Sequence, residues 1–191
     1  MFRKSSDIDF LKTGEVTIDA DGIPVNLGYR GIGSPEGKIA APVGSIYTDT
    51  AATNGAIRWV KTSGTGNTGW RVDYGDTGLR DLTASISGDA EWTTTAAGSG
   101  VFAQRVGNIV YLTVSAVINS SGSTQYVTLA NLPVGMRPNK NQFGNTWRGV
   151  RTYLRTSGQL DFQGPSGSSD YWSYSWVTND AWPTSLPGTP A

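Results

Sequence analysis

Ile109-Val110-Tyr111-Leu112-Thr113-Val114-Ser115-Ala116-Val117-Ile118 is the stretch on which the fold class turns. Val110, Leu112, Val114, Ala116 and Ile118 form a continuous apolar set at every second position, and the intervening Ile109, Tyr111, Thr113, Ser115 and Val117 are more mixed. A period of two over β-branched and aromatic residues predicts a strand with one buried face. The NSSGS run at 119–123 reads as a turn, and Thr124 to Leu132 returns as the next strand. An antiparallel pair is the simplest arrangement of the two.

Working outward from this pair, the same grammar continues. Pro133 and Pro138 interrupt the sheet after Leu132, because proline lacks the N–H a central strand needs. Strands are expected within Thr146–Leu154, over Gln159–Gln163 and over Tyr171–Val177, with a turn at Ser157-Gly158 and a loop at Pro165–Ser169. Turns every 8–12 residues or so suit a sandwich or jelly roll. Upstream, EVTID and Ile23–Leu27 read as strands around a DADG turn, and Glu15, Asp19 and Asp21 lack the spacing of a calcium loop. Ala56–Lys61 and Trp70–Tyr74 read as an aromatic hairpin, with Ile57, Trp59 and Lys61 on one face of its first strand. Gly64, Gly66 and Gly69 in its turn have dinucleotide-loop spacing. No helix is expected after them, and the anion-binding mechanism requires a helix N-terminus there. Gly75–Gly78 marks a boundary.

Composition narrows the chemistry. The 191 residues hold 15 basic and 15 acidic side chains, and only 16% are charged, against about 25% in ordinary soluble domains. Nothing in that balance calls for nucleic acid, and no basic-aromatic RNA-reading motif or recognition helix is evident. With no Cys and no His, disulfides, thiolate metal sites and the usual catalytic base are excluded. No apolar run is long enough to span a membrane. Between Trp92 and Leu160 there is no Asp or Glu, so the paired carboxylates of a glycosidase have few candidates beyond Asp161, Asp170 and Asp180. The sequence predicts no enzyme, no metal and no cofactor.

Several motifs resemble the minor tail, fibre and spike proteins of tailed bacteriophages, especially those of actinobacteria. In the first part they are Gly33–Gly37 (GSPEG), Ala41–Ser45 (APVGS), Tyr47, Trp59–Lys61 and Ser63–Trp70. In the second part they are Arg105–Leu112 (RVGNIVYL), Leu132–Pro138 (LPVGMRP) and Asp180–Gly188 (DAWPTSLPG). The resemblance implies a homotrimer attached to other tail or head proteins through its N-terminal region and displaying a receptor-binding domain to host cell-surface polysaccharide. A head-attached fibre or capsid decoration protein is the alternative. The expected fold is all-β, with a β-hairpin and virion-attachment module over residues 1–78 and a β-sandwich or jelly-roll-like domain over residues 79–191. On this reading Gly31–Trp70 is a Pro/Gly connector that feeds the aromatic hairpin.

Two groups of residues stand as binding candidates. Trp172, Tyr174 and Trp176 share one strand face and would either stack on sugars or pack in a core or subunit interface. The acid-free span carries Arg105, Arg137, Lys140, Arg148, Arg151 and Arg155. These either form an electropositive surface for anionic wall polymers or stand as separate solvated charges, and Arg148 and Arg151 are the pair to test first.

Overall fold

A computed structural model describes residues 16–18, 24–26, 28–86, 92–94, 98–119, 126–163 and 169–191. These residues form strands, turns and loops, with no α-helix among them, so the all-β expectation holds. The expected turns at 19–22 and 120–123, the loop at 165–168 and the acidic group of Glu15, Asp19 and Asp21 lie outside the described residues. The chain divides into two compact units, Met1–Gly75 and Asp76–Ala191.

In the first unit, β1 (Val16–Ile18) and β2 (Pro24–Asn26) pair antiparallel. β3 (Gly28–Gly31), β4 (Ile46–Asp49), β5 (Ala56–Lys61) and β6 (Trp70–Gly75) form a four-stranded sheet in that order. β3 and β4 run parallel, which requires a crossover rather than a tight turn; residues 32–45 supply it. This stretch is fastened to the sheet. The Glu36 carboxylate accepts from the amides of Gly69 and Trp70 at 3.2 and 2.7 Å, and the Trp70 indole donates to Ile39 O at 2.8 Å. Asn67 and Gly37 are joined through both a side-chain and a main-chain bond. Trp70 is buried between the edges of Tyr29 and Tyr47, each centroid 6.2 Å from its own.

The glycine-rich turn between β5 and β6 has the opposite polarity to a phosphate loop. Lys61 is buried, and its ammonium donates to the carbonyls of Gly66 and Thr68 while lying 5.8 Å from the Trp70 ring centroid. A loop that turns carbonyl oxygens inward onto a cation offers no cradle to an anion. Register shifts near Arg58 also break the expected alternation of β5, so Trp59 and Lys61 are buried while Ile57 is exposed.

The second unit contains β7 (Arg80–Asp81), β8 (Trp92–Thr94), β9 (Gly100–Val106), β10 (Ile109–Asn119), β11 (Tyr126–Asn131), β12 (Gln142–Asn145), β13 (Arg151–Leu154), β14 (Gln159–Gln163), β15 (Asp170–Val177) and β16 (Thr189–Pro190). One sheet has the order β15-β10-β9-β7-β16, with β8 also paired to β10; the other is β11-β14-β13-β12. Side chains of both sheets meet in one core: Val101, Val110, Leu112 and Val114 from the first, Leu129, Leu154, Leu160 and Phe162 from the second. The central strand departs from simple alternation. Its pairing with β15 shifts between Val114 and Val117, and Ala116 adopts φ 49°. A bulge of this kind moves an extra residue past the partner strand, so Val117 is fully buried and Ile118 only half-buried.

The three sequence motifs of this unit converge on one point. Arg105 is buried and donates to Gly135 O at 2.6 Å, Ala181 O at 3.0 Å, Asp180 O at 3.1 Å and Gly107 O at 2.9 Å. Its guanidinium lies 4.8 Å from the Trp182 ring centroid. Asp180 in turn accepts from the amides of Gly135 and Arg137 at 2.9 and 3.3 Å. Gly135 has φ 97°, and a Cβ there would come within 3.1 Å of the Pro183 ring. The motifs therefore knot the end of β9 to two irregular segments far away in the chain.

Candidate functional site

The β11-β14-β13-β12 sheet has one face in the core and one in solvent, and the register assigns each residue to a side. Val127, Phe162, Thr152 and Gly144 form one cross-strand row, and Ala130, Leu160, Leu154 and Gln142 another. Both rows face the core. The rows between them, Tyr126-Gln163-Arg151-Asn145 and Thr128-Asp161-Tyr153-Phe143, take the opposite face because side chains alternate along a strand.

Three aromatic rings gather on this outer face. Phe143 and Tyr153 stack at 4.4 Å with planes 10° apart, and Tyr126 meets Tyr153 edge-on at 6.3 Å. Phe143 is 71% exposed, so one ring face is open to water. The Arg155 guanidinium lies 4.5 Å from the Tyr153 centroid, and the Tyr153 hydroxyl accepts from Asn141 at 2.6 Å. An open cleft of about 420 Å³ is lined by Tyr126, Phe143, Gly144, Asn145, Arg151 and Thr152. It falls within the roughly 300–1,000 Å³ of small-molecule sites, and it joins apolar faces to polar groups.

Charge on this face is divided unequally. Asp161 is buried and receives Arg155 Nε at 2.8 Å, Thr128 Oγ1 at 3.0 Å and Gln159 Nε2 at 2.8 Å. Arg151 is exposed at the cleft and has no ion pair or side-chain hydrogen bond among the described residues.

The expected Trp172, Tyr174 and Trp176 platform is not on a free surface. Trp172 and Trp176 are 7% and 5% exposed within the core cluster, and Trp172 stacks on Phe162 at 5.4 Å. Their indole N–H groups find no hydrogen-bond partner among the described residues, so packing rather than a side-chain hydrogen bond holds them. Tyr174 reaches across to the second sheet, where its hydroxyl bonds that of Thr152, and burial pushes its phenol pKa up. Of the two readings of this strand face, packing supports the core one. Ser173 and Ser175 are the exposed side of β15.

Nor do the basic residues form one surface. Arg105 is buried, Arg155 is paired with Asp161, and Arg137 Nε donates to Leu132 O at 3.3 Å. Arg148 sits on the turn between β12 and β13, 5.2 Å from the centroid of the highly exposed Trp147, and donates to Ser169 O at 3.1 Å. Of the predicted binding residues only Arg151 belongs to the cleft.

Sequence reasoning missed Tyr126, Phe143 and Tyr153. The signal for Tyr153 is present in R-T-Y-L-R over 151–155: if Leu154 points inward, Arg151, Tyr153 and Arg155 point outward together. Phe143, between Gln142 and Gly144, carries no such signal. Two other carboxylates of this unit, Asp170 and Asp180, serve structure. Asp170 is buried and accepts the Tyr171 amide at 2.9 Å, and Asp180 belongs to the Arg105 knot. Among the described residues no group of acidic side chains is placed to hold a metal ion. Compared with protein-family models, curated proteins and solved structures, the chain matches none.

Proposed function

We propose that this chain is a tailed-bacteriophage virion protein, a short tail fibre, tip or spike, that presents its second unit to a host cell-surface glycan. The ordered motifs of both units support the phage assignment by resemblance. One observation carries the binding role: an open aromatic cleft on the solvent face of a sheet, where Phe143 holds a ring face in water against the hydrophobic cost of exposing it. Sugars present C–H faces that stack on such rings and hydroxyls that suit neighbouring Asn, Gln and Arg side chains. On this proposal the second unit is a β-sandwich of jelly-roll type, a reading its two facing sheets support, its assembly is a homotrimer, and residues 1–78 attach it to the particle.

Adsorption of the purified chain to actinobacterial cell walls tests the proposal. Phe143→Ala is expected to weaken adsorption about tenfold or more, as loss of a central aromatic contact does, with an unchanged melting temperature. Adsorption indifferent to that substitution removes the cleft from the role. Cryo-electron microscopy of the particle fixes its location, and density on the capsid lattice would replace the tail reading with the decoration alternative.

A further inference from the structure

We infer that the cleft selects a carboxylated sugar residue, a uronic acid within a polysaccharide, and that Arg151 is the side chain that reads the carboxylate. The inference rests on the glycan-binding reading above and adds the class of glycan.

Two arginines lie on this sheet face, and they are not equivalent. Arg155 is committed to the buried carboxylate of Asp161, which also takes two neutral donors. That pair is charge-neutral and closed. Arg151 stands four residues earlier, at the start of β13 and on the same face, exposed at the cleft, with no acidic partner among the described residues. The cross-strand row through Arg151 contains Tyr126, Gln163 and Asn145, none of them anionic. A lone guanidinium beside an aromatic platform supplies two halves of one recognition geometry. The ring of Phe143 takes the apolar face of a pyranose, and the planar fork of Arg151 takes its carboxylate through paired, charge-assisted hydrogen bonds. A neutral hexose would use the platform and offer the fork only uncharged hydroxyls, which make weaker bonds than a carboxylate. The buried Asp161 cannot repel the ligand strongly, because Arg155 already balances it.

Calorimetric titration of the whole chain at low salt separates these contributions. The probes are oligomers of galacturonate and of mannuronate, each beside its methyl ester, which keeps the ring and removes the charge. At least one acid is expected to bind about tenfold or more tightly than its ester, in keeping with the greater strength of charge-assisted bonds. In Arg151→Gln the acid and its ester should bind alike, with the melting temperature unchanged because the side chain is exposed. Phe143→Ala should weaken both. Equal binding of acid and ester by the unaltered chain would overturn the carboxylate inference and leave the glycan reading intact. A preference for the acid that survives in Arg151→Gln would overturn the role of Arg151. If no oligomer binds, the inference fails, and cell-wall adsorption decides independently whether the proposed function survives it.

Discussion

Arg105 and Asp49 show how single charged residues are made to serve the backbone. Burial lowers the Arg105 pKa to about 10, partly opposed by Asp180, so the group stays charged at neutral pH and its charge is spent on four carbonyl oxygens. Arg105→Ala would leave these acceptors without a donor and is expected to cost about 3–5 kcal/mol. Urea denaturation should show a lower midpoint with an unchanged slope. Asp49, buried in the first unit, accepts the amides of Gly33 and Ala51 at 2.9 and 3.0 Å. Burial by itself would raise its pKa, but the amides of Gly33, Ala52 and Ala51 and the Lys38 charge outweigh burial and hold it below the ordinary value. A depressed carboxyl pKa contributes stability that is complete above the unfolded value of about 3.9 and is lost as pH falls through the folded value. The first unit should therefore melt earlier as pH drops below about 4. Asp49→Asn should flatten that dependence, which thermal melts followed across pH 3 to 6, roughly the span around the carboxylate range, would record.

At the scale of elements, several strand positions were legible and the inward faces only partly so. β9 and β12 were not expected, and β10 and β11, expected as an antiparallel pair, belong to different sheets because their pairing is a tertiary choice. Ala56–Lys61 and Gln159–Gln163 occupy the expected residues, and Trp70–Gly75 and Asp170–Val177 each extend one residue further. Periodicity finds a strand, but it does not say which side meets the core, and it fails where register shifts, as at Arg58 and Ala116. The parallel β3–β4 pair was hidden for a different reason: pairing across a loop is a tertiary choice with no local signature. For β15, alternation gave two faces of unlike size, and packing places the large one inside. Trp172→Ala should then lower stability by about 3–5 kcal/mol through the cavity it leaves. Trp172→Phe should cost much less, since the indole N–H it removes has no partner among the described residues. Denaturation of the two variants beside the parent checks both. The cleft was the least legible part, because its rings come from three strands and only the pairing register brings them onto one face.

At the scale of the whole molecule, each unit carries its own sheet and buried residues, so residues 76–191 should fold alone as a single cooperative unit. Expression of that segment and a sharp thermal transition would show it. A broad, non-cooperative melt would mean that its core depends on the rest of the chain. Sedimentation of the full chain tests the proposed homotrimer directly, and a monomer at micromolar concentration would remove it. The caged lysine of the first unit adds an intrinsic chemical reporter. Amine acylation requires a free, deprotonated ε-amino group in water, so in the native protein the exposed Lys38 and Lys140 should be modified quickly and Lys61 hardly at all. Appearance of an acyl group on Lys61 in mass spectra would time the opening of the glycine-rich loop that encloses it.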